Sequence, residues 1–350
     1  MLTLLIIICA VILFFAVFED YIEEKYKWFS FILIAICLMM YAGLRPVGFD
    51  RDSHNYETAF MHPDSSLSDI SYEPFFLVIC RTLSAVSSEV TVLFMFFALL
   101  GVSLKLYSVK RLTPLFFLPL LIYFSNFFIL HETTQIRAGI ASGLFLFAIK
   151  PLSEGAKMRT FVIILIASLF HYSALSLLPL LFLNNKDIST IGKIIYACLV
   201  PLCFLLYVLD LDLLTAIPIP FVTDKVEGYK MASEFGNVNK ESILNPFPLM
   251  KMAVFLYFLY FSETIKEYVP SINLIIKILG CSLLVYFAFS SVKIISTRIS
   301  ELYGVVEIVA YPCIVFTIRP KAVGTLLVCI MAFIELYFNL VQWEILDFKV

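Results

Sequence analysis

Apolar runs long enough to cross a bilayer recur from one end of this 350-residue chain to the other. A membrane span needs on the order of 20 mostly apolar residues, because a helix rises about 1.5 Å per residue and the hydrocarbon core is about 30 Å thick. Runs of this kind fall at about 2–18, 28–44, 90–109, 114–130, 134–149, 160–183, 191–209, 249–262, 272–290, 302–317 and 323–340. A shorter segment, 72–88, carries Arg81 near its middle and reads either as a span or as a dip that returns. Hydrophobic residues make up 61% of the chain and charged ones 15%. A soluble domain is about half apolar and a quarter charged, so a soluble core could not enclose this much apolar surface. The alternating pattern of a membrane barrel is absent. The expected fold is an all-α polytopic membrane protein with about 10–12 transmembrane helices, in one domain over residues 1–350.

A net charge of −2 gives no sign of a nucleic-acid partner. The first run lacks a basic leader and a small-residue cleavage site, and reads as a retained span. The eight cysteines are scattered through apolar segments without a CxxC pair. They read as small core residues, so neither a disulfide framework nor a metal or cofactor site is expected.

Basic residues set the expected orientation. Lysines cluster in short turns: Lys25 with Lys27, Lys110 with Arg111, Lys150 with Lys157 and Arg159, and Arg319 with Lys321. Placing these turns in the cytoplasm puts the N-terminus, 45–71, 131–133 and 210–248 on the outer face. For every turn to agree, 72–88 must return to the side it came from, and 160–183 must fold back near His171. Arg45, Arg51, Arg81, Arg137 and Arg298, five of the eight arginines, then gather toward the outside. Arginine's planar fork suits bidentate binding of phosphate or carboxylate, so this separation points to an anionic ligand on the outer side.

Six stretches carry the candidate chemistry. In "YAGLRPVGFDRDSHNYETAF", residues 41–60, Pro46, Gly48 and an Asp-Arg-Asp run break the preceding helix. Asp50 and Asp52 can hold sugar hydroxyls, act as a base, or pair with Arg45 and Arg51. Tyr72-Glu73-Pro74 begins the next segment, where Glu73 also suits a plain helix start. Arg81 lies among apolar neighbours, and a charge at membrane depth costs roughly 2.5–3.5 kcal/mol or more, so it is expected to face protein or a polar cavity. In "HETTQIRAGIASG", residues 131–143, Thr133 or Thr134 can cap a helix with Glu132 near its N-terminus. Gln135 and Arg137 follow on its first turns, and Gly139 and Gly143 let another helix approach closely. Arg137 and free backbone N–H groups there can share a phosphate, or Arg137 can pair with a carboxylate such as Glu132.

His171 interrupts an apolar run in "LFHYSAL", as a hydrogen-bonded structural residue or a catalyst. "VKIISTRISELYGVVE" supplies Arg298 and Glu301, three apart and able to pair, and a deeper Glu307 that calls for a partner. Lys277 and Glu335 are further embedded charges without an assigned role. The stretch 210–248, with Tyr229 and Phe235 among mixed charges, reads as an interfacial lid, a carbohydrate platform or a plain connection.

"LRPVGFDRDSHNYETAF", "YEPFF", "QIRAGIASGLFLFAI" and "FHYSAL", in this order over roughly 40–180, resemble the sequence blocks of EpsG-type, Wzy-like polysaccharide polymerases. The C-terminal half is similar only in character. The resemblance implies a GT-C-like helical fold and an enzyme of O-antigen or exopolysaccharide assembly in the bacterial inner membrane. Such enzymes transfer a growing glycan from one undecaprenyl-pyrophosphate carrier onto the sugar of another, on the periplasmic or outer face. Donor and acceptor are then the same kind of lipid-linked oligosaccharide, with membrane lipid around them and a chain-length regulator as a candidate partner. The residues it implies are Arg45, Asp50, Asp52, Tyr56, Tyr72, Glu73, Gln135, Arg137 and His171. We expect Arg137 and Arg298 to bind the pyrophosphate with Arg81 or Arg45 assisting, and the base to be His131, Glu132 or His171. Asp50, Asp52, Tyr56, Tyr72, Glu73 and Gln135 are expected to hold glycan. A flippase for the same lipid would need the arginines but no base. A ligase or another transferase with a polyprenyl-linked donor would differ only in its acceptor.

Overall fold

The first helix shows what the sequence pattern dictates. α1 (Leu2–Phe18) is apolar on every side, and Ile6, Ile7 and Phe14 each keep more than half of their surface exposed. A helix apolar all round and not enclosed by protein faces lipid. The computed structural model describes residues 1–63, 72–209, 246–289 and 293–348. Six of its helical segments have the length and composition of a span: Leu2–Tyr21, Glu24–Gly43, Thr91–Leu112, Ile136–Ser153, Ser296–Phe316 and Lys321–Gln342. Five shorter apolar helices accompany them, and β structure among the described residues is limited to a bridge between Asp50 and Leu346. The chain is an all-α polytopic membrane protein.

After α1 come α2 (Glu24–Gly43), the short α3 (Ser53–Met61) and α4 (Pro74–Ser84), then α5 (Thr91–Leu112). α6 (Phe117–Ile122) continues as a π-helix over Tyr123–Glu132 and is followed by α7 (Ile136–Ser153) and α8 (Lys157–Phe170). A 3₁₀ segment, Tyr172–Phe182, leads to α9 (Thr190–Val208). The C-terminal part holds α10 (Pro246–Lys266), α11 (Ile272–Ala288), α12 (Lys293–Gly304), α13 (Glu307–Ala310) with a 3₁₀ turn to Phe316, and α14 (Lys321–Tyr337).

The small residues of α7 do what their spacing predicts. A methyl group on Gly139 would overlap the His131 carbonyl, and one on Gly143 would press on Leu104 of α5. Tyr107 meets Phe147 one turn further along, so α5 and α7 run parallel and carry Lys110 and Lys150 to the same end. Lys110 also lies over Trp28, at the start of α2, and Lys321 pairs with Asp20. The lysine-rich turns thus share one end of the bundle. Arg137, in the first turn of the 18-residue α7, lies about 20 Å away along that helix from Lys150, in its last.

Between α5, the π-helix and α7 sits a buried ion pair. Lys105 donates to Glu132 Oε1 at 2.5 Å and to the Gly139 carbonyl at 2.6 Å. Tyr123 donates to the same carboxylate oxygen at 3.1 Å. Gly101 of α5 leaves the room this carboxylate needs.

Several expectations change here. α4 has 11 residues, about 16 Å of rise, half of a bilayer core. The 72–88 segment is therefore too short as a helix to cross, and Arg81 lies exposed in its last turn rather than facing a cavity at membrane depth. A cation there is favoured by the helix dipole. The 160–183 run does break at His171, whose extended backbone (φ −154°, ψ 117°) ends α8. Glu307 has the expected partner, since Lys251 donates to both of its oxygens at 2.7 and 2.9 Å. Ser125 donates to Glu335 at 3.3 Å, and Lys277 donates to the carbonyls of Asn184 and Lys186. The stretch 210–245 lies outside the described residues.

Lys105→Met is expected to destabilise the protein by about 3–5 kcal/mol, because it strands a buried carboxylate. Lys105→Met with Glu132→Gln should recover much of that loss. Thermal unfolding in detergent, followed for wild type and both variants, measures the difference.

Candidate active site

The loop between α2 and α3 is fixed before it contributes anything to a cavity. Gly48 has a positive φ of 89°, which turns the chain so that its N–H reaches Ser53 Oγ at 2.9 Å. Arg45 turns inward. Its Nε donates to Asp50 Oδ2 at 2.9 Å, its Nη1 to the Ala42 carbonyl at 2.6 Å, and its guanidinium lies 3.9 Å from the centre of the Phe94 ring. Both side chains of the Arg45–Asp50 pair are fully enclosed. Asp50 Oδ1 also accepts the Asp52 N–H at 3.0 Å. Arg45 and Asp50 therefore depart from the expected ligand-binding roles: they hold the loop together.

With that pair inside, the next residues face outward. Arg51 donates to the backbone carbonyls of Trp343 and Glu344, tying the loop to the C-terminal segment. The Asp347 N–H closes the same junction by donating to the Phe49 carbonyl at 2.8 Å.

Glu73 organises the other side. It stands at the N-cap of α4 and is 3% exposed. One carboxylate oxygen accepts from Arg137; the other bonds His171 Nδ1 at 2.8 Å and the Tyr172 N–H at 3.2 Å. Burial alone would push this carboxyl up, but the His171 bond and the Arg137 charge outweigh burial and hold it below the usual carboxylate range. An ionised carboxylate only accepts, so Nδ1 of His171 carries the hydrogen and Nε2 is left as the basic nitrogen. Glu73 thus positions a guanidinium and an imidazole together, rather than binding glycan. The Arg137 guanidinium also lies 5.1 Å from the Tyr72 ring and 5.8 Å from the Tyr56 ring.

These groups line one cavity of about 190 Å³, whose walls include Arg51, Asp52, Tyr56, Gln135, Arg137, His171 and Arg298. Burial and then the Asp50 charge push the Asp52 carboxyl up, against the pull of Arg137, Arg298 and Arg51. Three arginines from three distant parts of the sequence therefore act on one carboxylate. The cavity can hold an anion, and it has a carboxylate-held imidazole in its wall.

Of the expected residues, the structure brings Asp52, Tyr56, Gln135, Arg137, His171 and Arg298 to this cavity. Tyr72 stands behind it, stacked 5.5 Å from Phe76 and donating to the Asn55 carbonyl at 3.0 Å. Arg81 is not in its wall. The other two base candidates are also elsewhere. Glu132 is consumed by Lys105, and His131 is buried with Nδ1 3.0 Å from Ser142 Oγ. Neither expected threonine caps α7. Thr133 turns back to the Ile129 carbonyl, and Gln135 holds the cap position without a side-chain bond. Arg51, expected in the outward arginine cluster without a role of its own, joins the wall, as do Thr134 and Ile345, which were not expected there.

Fold and site together define a multi-pass helical membrane protein with an arginine-lined cavity and an imidazole held by a carboxylate. The chain belongs to the EpsG family, whose model matches residues 27–348. It is also similar to the amylovoran biosynthesis protein AmsC of Erwinia amylovora, with 23% identity over 171 residues, 45% of each chain. The matched stretch thus spans less than half of that relative's length. No solved structure matches the chain.

Glu73→Gln tests the organising role. Because folding lowers the Glu73 pKa, its stabilisation is complete above the unfolded value of about 4.3 and is lost as pH falls through the folded value. Wild type should exceed Glu73→Gln by about 1.5–3 kcal/mol at neutral pH. That gap should narrow as pH drops below about 4, read from the Tm difference between the two proteins across pH.

Proposed function

We propose that this chain is a polysaccharide polymerase that lengthens a glycan carried on undecaprenyl pyrophosphate, in O-antigen or exopolysaccharide assembly. The convergence of Arg51, Arg137 and Arg298 on a cavity that His171 also lines is the observation that carries this reading. Membership of the EpsG family supports it, as does the likeness to a protein of amylovoran biosynthesis. The lysine-rich end is cytoplasmic by the positive-inside rule, so the cavity opens to the periplasm or the outside. The scaffold is the GT-C-like one that the sequence blocks imply.

In the reaction, the donor's diphosphate sits against Arg137, Arg298 and Arg51. An acceptor sugar hydroxyl attacks the donor's anomeric carbon, and the bond from that carbon to the diphosphate oxygen breaks. The hydroxyl proton passes to Nε2 of His171, while the electron pair leaves on the polyprenyl diphosphate. Guanidinium groups already in place stabilise this leaving charge without reorganising. Glu73 keeps the imidazole in the tautomer that can accept the proton and steadies the imidazolium that results. Gln135, Asp52 and Tyr56 remain in the wall to hold sugar hydroxyls.

Purified protein with its undecaprenyl-pyrophosphate repeat unit should give a ladder of longer lipid-linked glycans. Arg137→Ala should lower the rate about 100- to 1,000-fold with folding retained, as for loss of one preorganised charge donor. Arg137→Lys should not restore it fully, because a point charge replaces a planar fork. Movement of the lipid-linked glycan across liposomes with no elongation by wild type would instead identify a flippase.

A further inference from the structure

A second cavity, also of about 190 Å³, shares two elements with the wall of the first. Arg298 of α12 faces the first cavity, whereas Thr297, Ser300 and Glu301 of the same helix line the second. In the C-terminal segment, Ile345 faces the first and Trp343 the second. The segment is anchored by Arg51, which donates to the Trp343 carbonyl while its own side chain lines the first cavity. One helix and one strap thus contribute to two spaces of different chemistry.

The first cavity has three arginines. The second has three aromatic residues, Phe247, Tyr286 and Trp343, with Ser282, Ser300 and Glu301 among its polar groups. Its lysine, Lys251, is already bound by both oxygens of Glu307, so the wall does not offer an uncompensated cation. Phe247 and Trp343 pack edge to face with centroids 5.4 Å apart, and this holds the indole in a fixed orientation. Aromatic faces with hydroxyls and a carboxylate acceptor suit a polyhydroxylated, uncharged ligand, because sugar C–H faces lie on rings while sugar hydroxyls donate to the carboxylate.

Building on the polymerase reading, we infer that this second cavity binds the oligosaccharide of the acceptor, with Glu301 and Trp343 as its recognition residues. Donor diphosphate and acceptor glycan then occupy neighbouring cavities that share α12 and the C-terminal strap.

Tryptophan fluorescence gives a direct test, because the chain has two tryptophans and Trp28 lies in α2, away from this cavity. Trp28→Phe leaves Trp343 as the reporter. The probe is lipid-free oligosaccharide released by partial hydrolysis of the polymer made by the strain that carries this chain. The expected result is a saturable change in Trp343 emission that Glu301→Gln weakens at least tenfold and Arg137→Ala leaves unaltered. A Trp28→Phe protein that elongates lipid-linked glycan but gives no saturable change would overturn the inference and leave the polymerase reading standing. A change that Arg137→Ala removes and Glu301→Gln does not would also overturn it, by placing the sugar in the first cavity. If binding appears as expected while wild type elongates nothing, the second cavity is a glycan site and the polymerase reading fails.

Discussion

The Lys105–Glu132 pair is the constraint on which the site depends. A charge pair between α5 and the π-helix, away from water, is tolerable only if both partners are held and their remaining valences filled. Tyr123 and the Gly139 carbonyl fill them, and Gly101 leaves the space. The same contacts fix the end of the π-helix against the start of α7. Between those ends only Thr133, Thr134 and Gln135 remain, and Arg137 follows two residues later. The start of α7, and with it the backbone of Arg137, is therefore held by a pair that does not line the cavity, while Glu73 holds the guanidinium itself.

A second junction completes the site from the far end of the chain. The loop carrying Arg51 and Asp52 has little regular structure to hold it, so the internal Arg45–Asp50 pair and contacts to residues 343–347 do so. Its sequence neighbours divide by side: Arg45 and Asp50 go inward, Arg51 and Asp52 outward. The helices that follow this loop among the described residues are short, since α3 has 9 residues and α4 has 11. Rigidity comes from joining residues some three hundred positions apart.

Much of this was legible in the sequence. Six of the expected spans followed from the length of apolar runs, because the bilayer imposes one thickness on all of them. Close packing at Gly139 and Gly143 followed from their spacing, and the break near His171 from the need for the basic turns to share one side. The role of Glu73 was not legible, because its partners lie 64 and 98 residues away and no period links them. Which of Arg45 and Arg51 faces the cavity was hidden for a related reason: a loop has no repeat that assigns alternate residues to opposite faces. His131 and Glu132 looked chemically apt in a string of letters. The π winding turns them into the bundle, toward Ser142 and Lys105.

The charge balance of the cavity argues for a ligand more negative than a carboxylate. Three guanidinium groups, Arg51, Arg137 and Arg298, stand against two carboxylates, Asp52 and Glu73. One positive charge is left over among these five groups. A diphosphate offers each arginine a separate oxygen and carries more charge than the surplus requires. In the proposed reaction the diphosphate's negative charge would grow while the imidazole gained a proton, so the site's opposing charges would rise together. Glu73 touches both Arg137 and His171, so in that reaction it would steady the imidazolium while sharing the Arg137 guanidinium with the diphosphate.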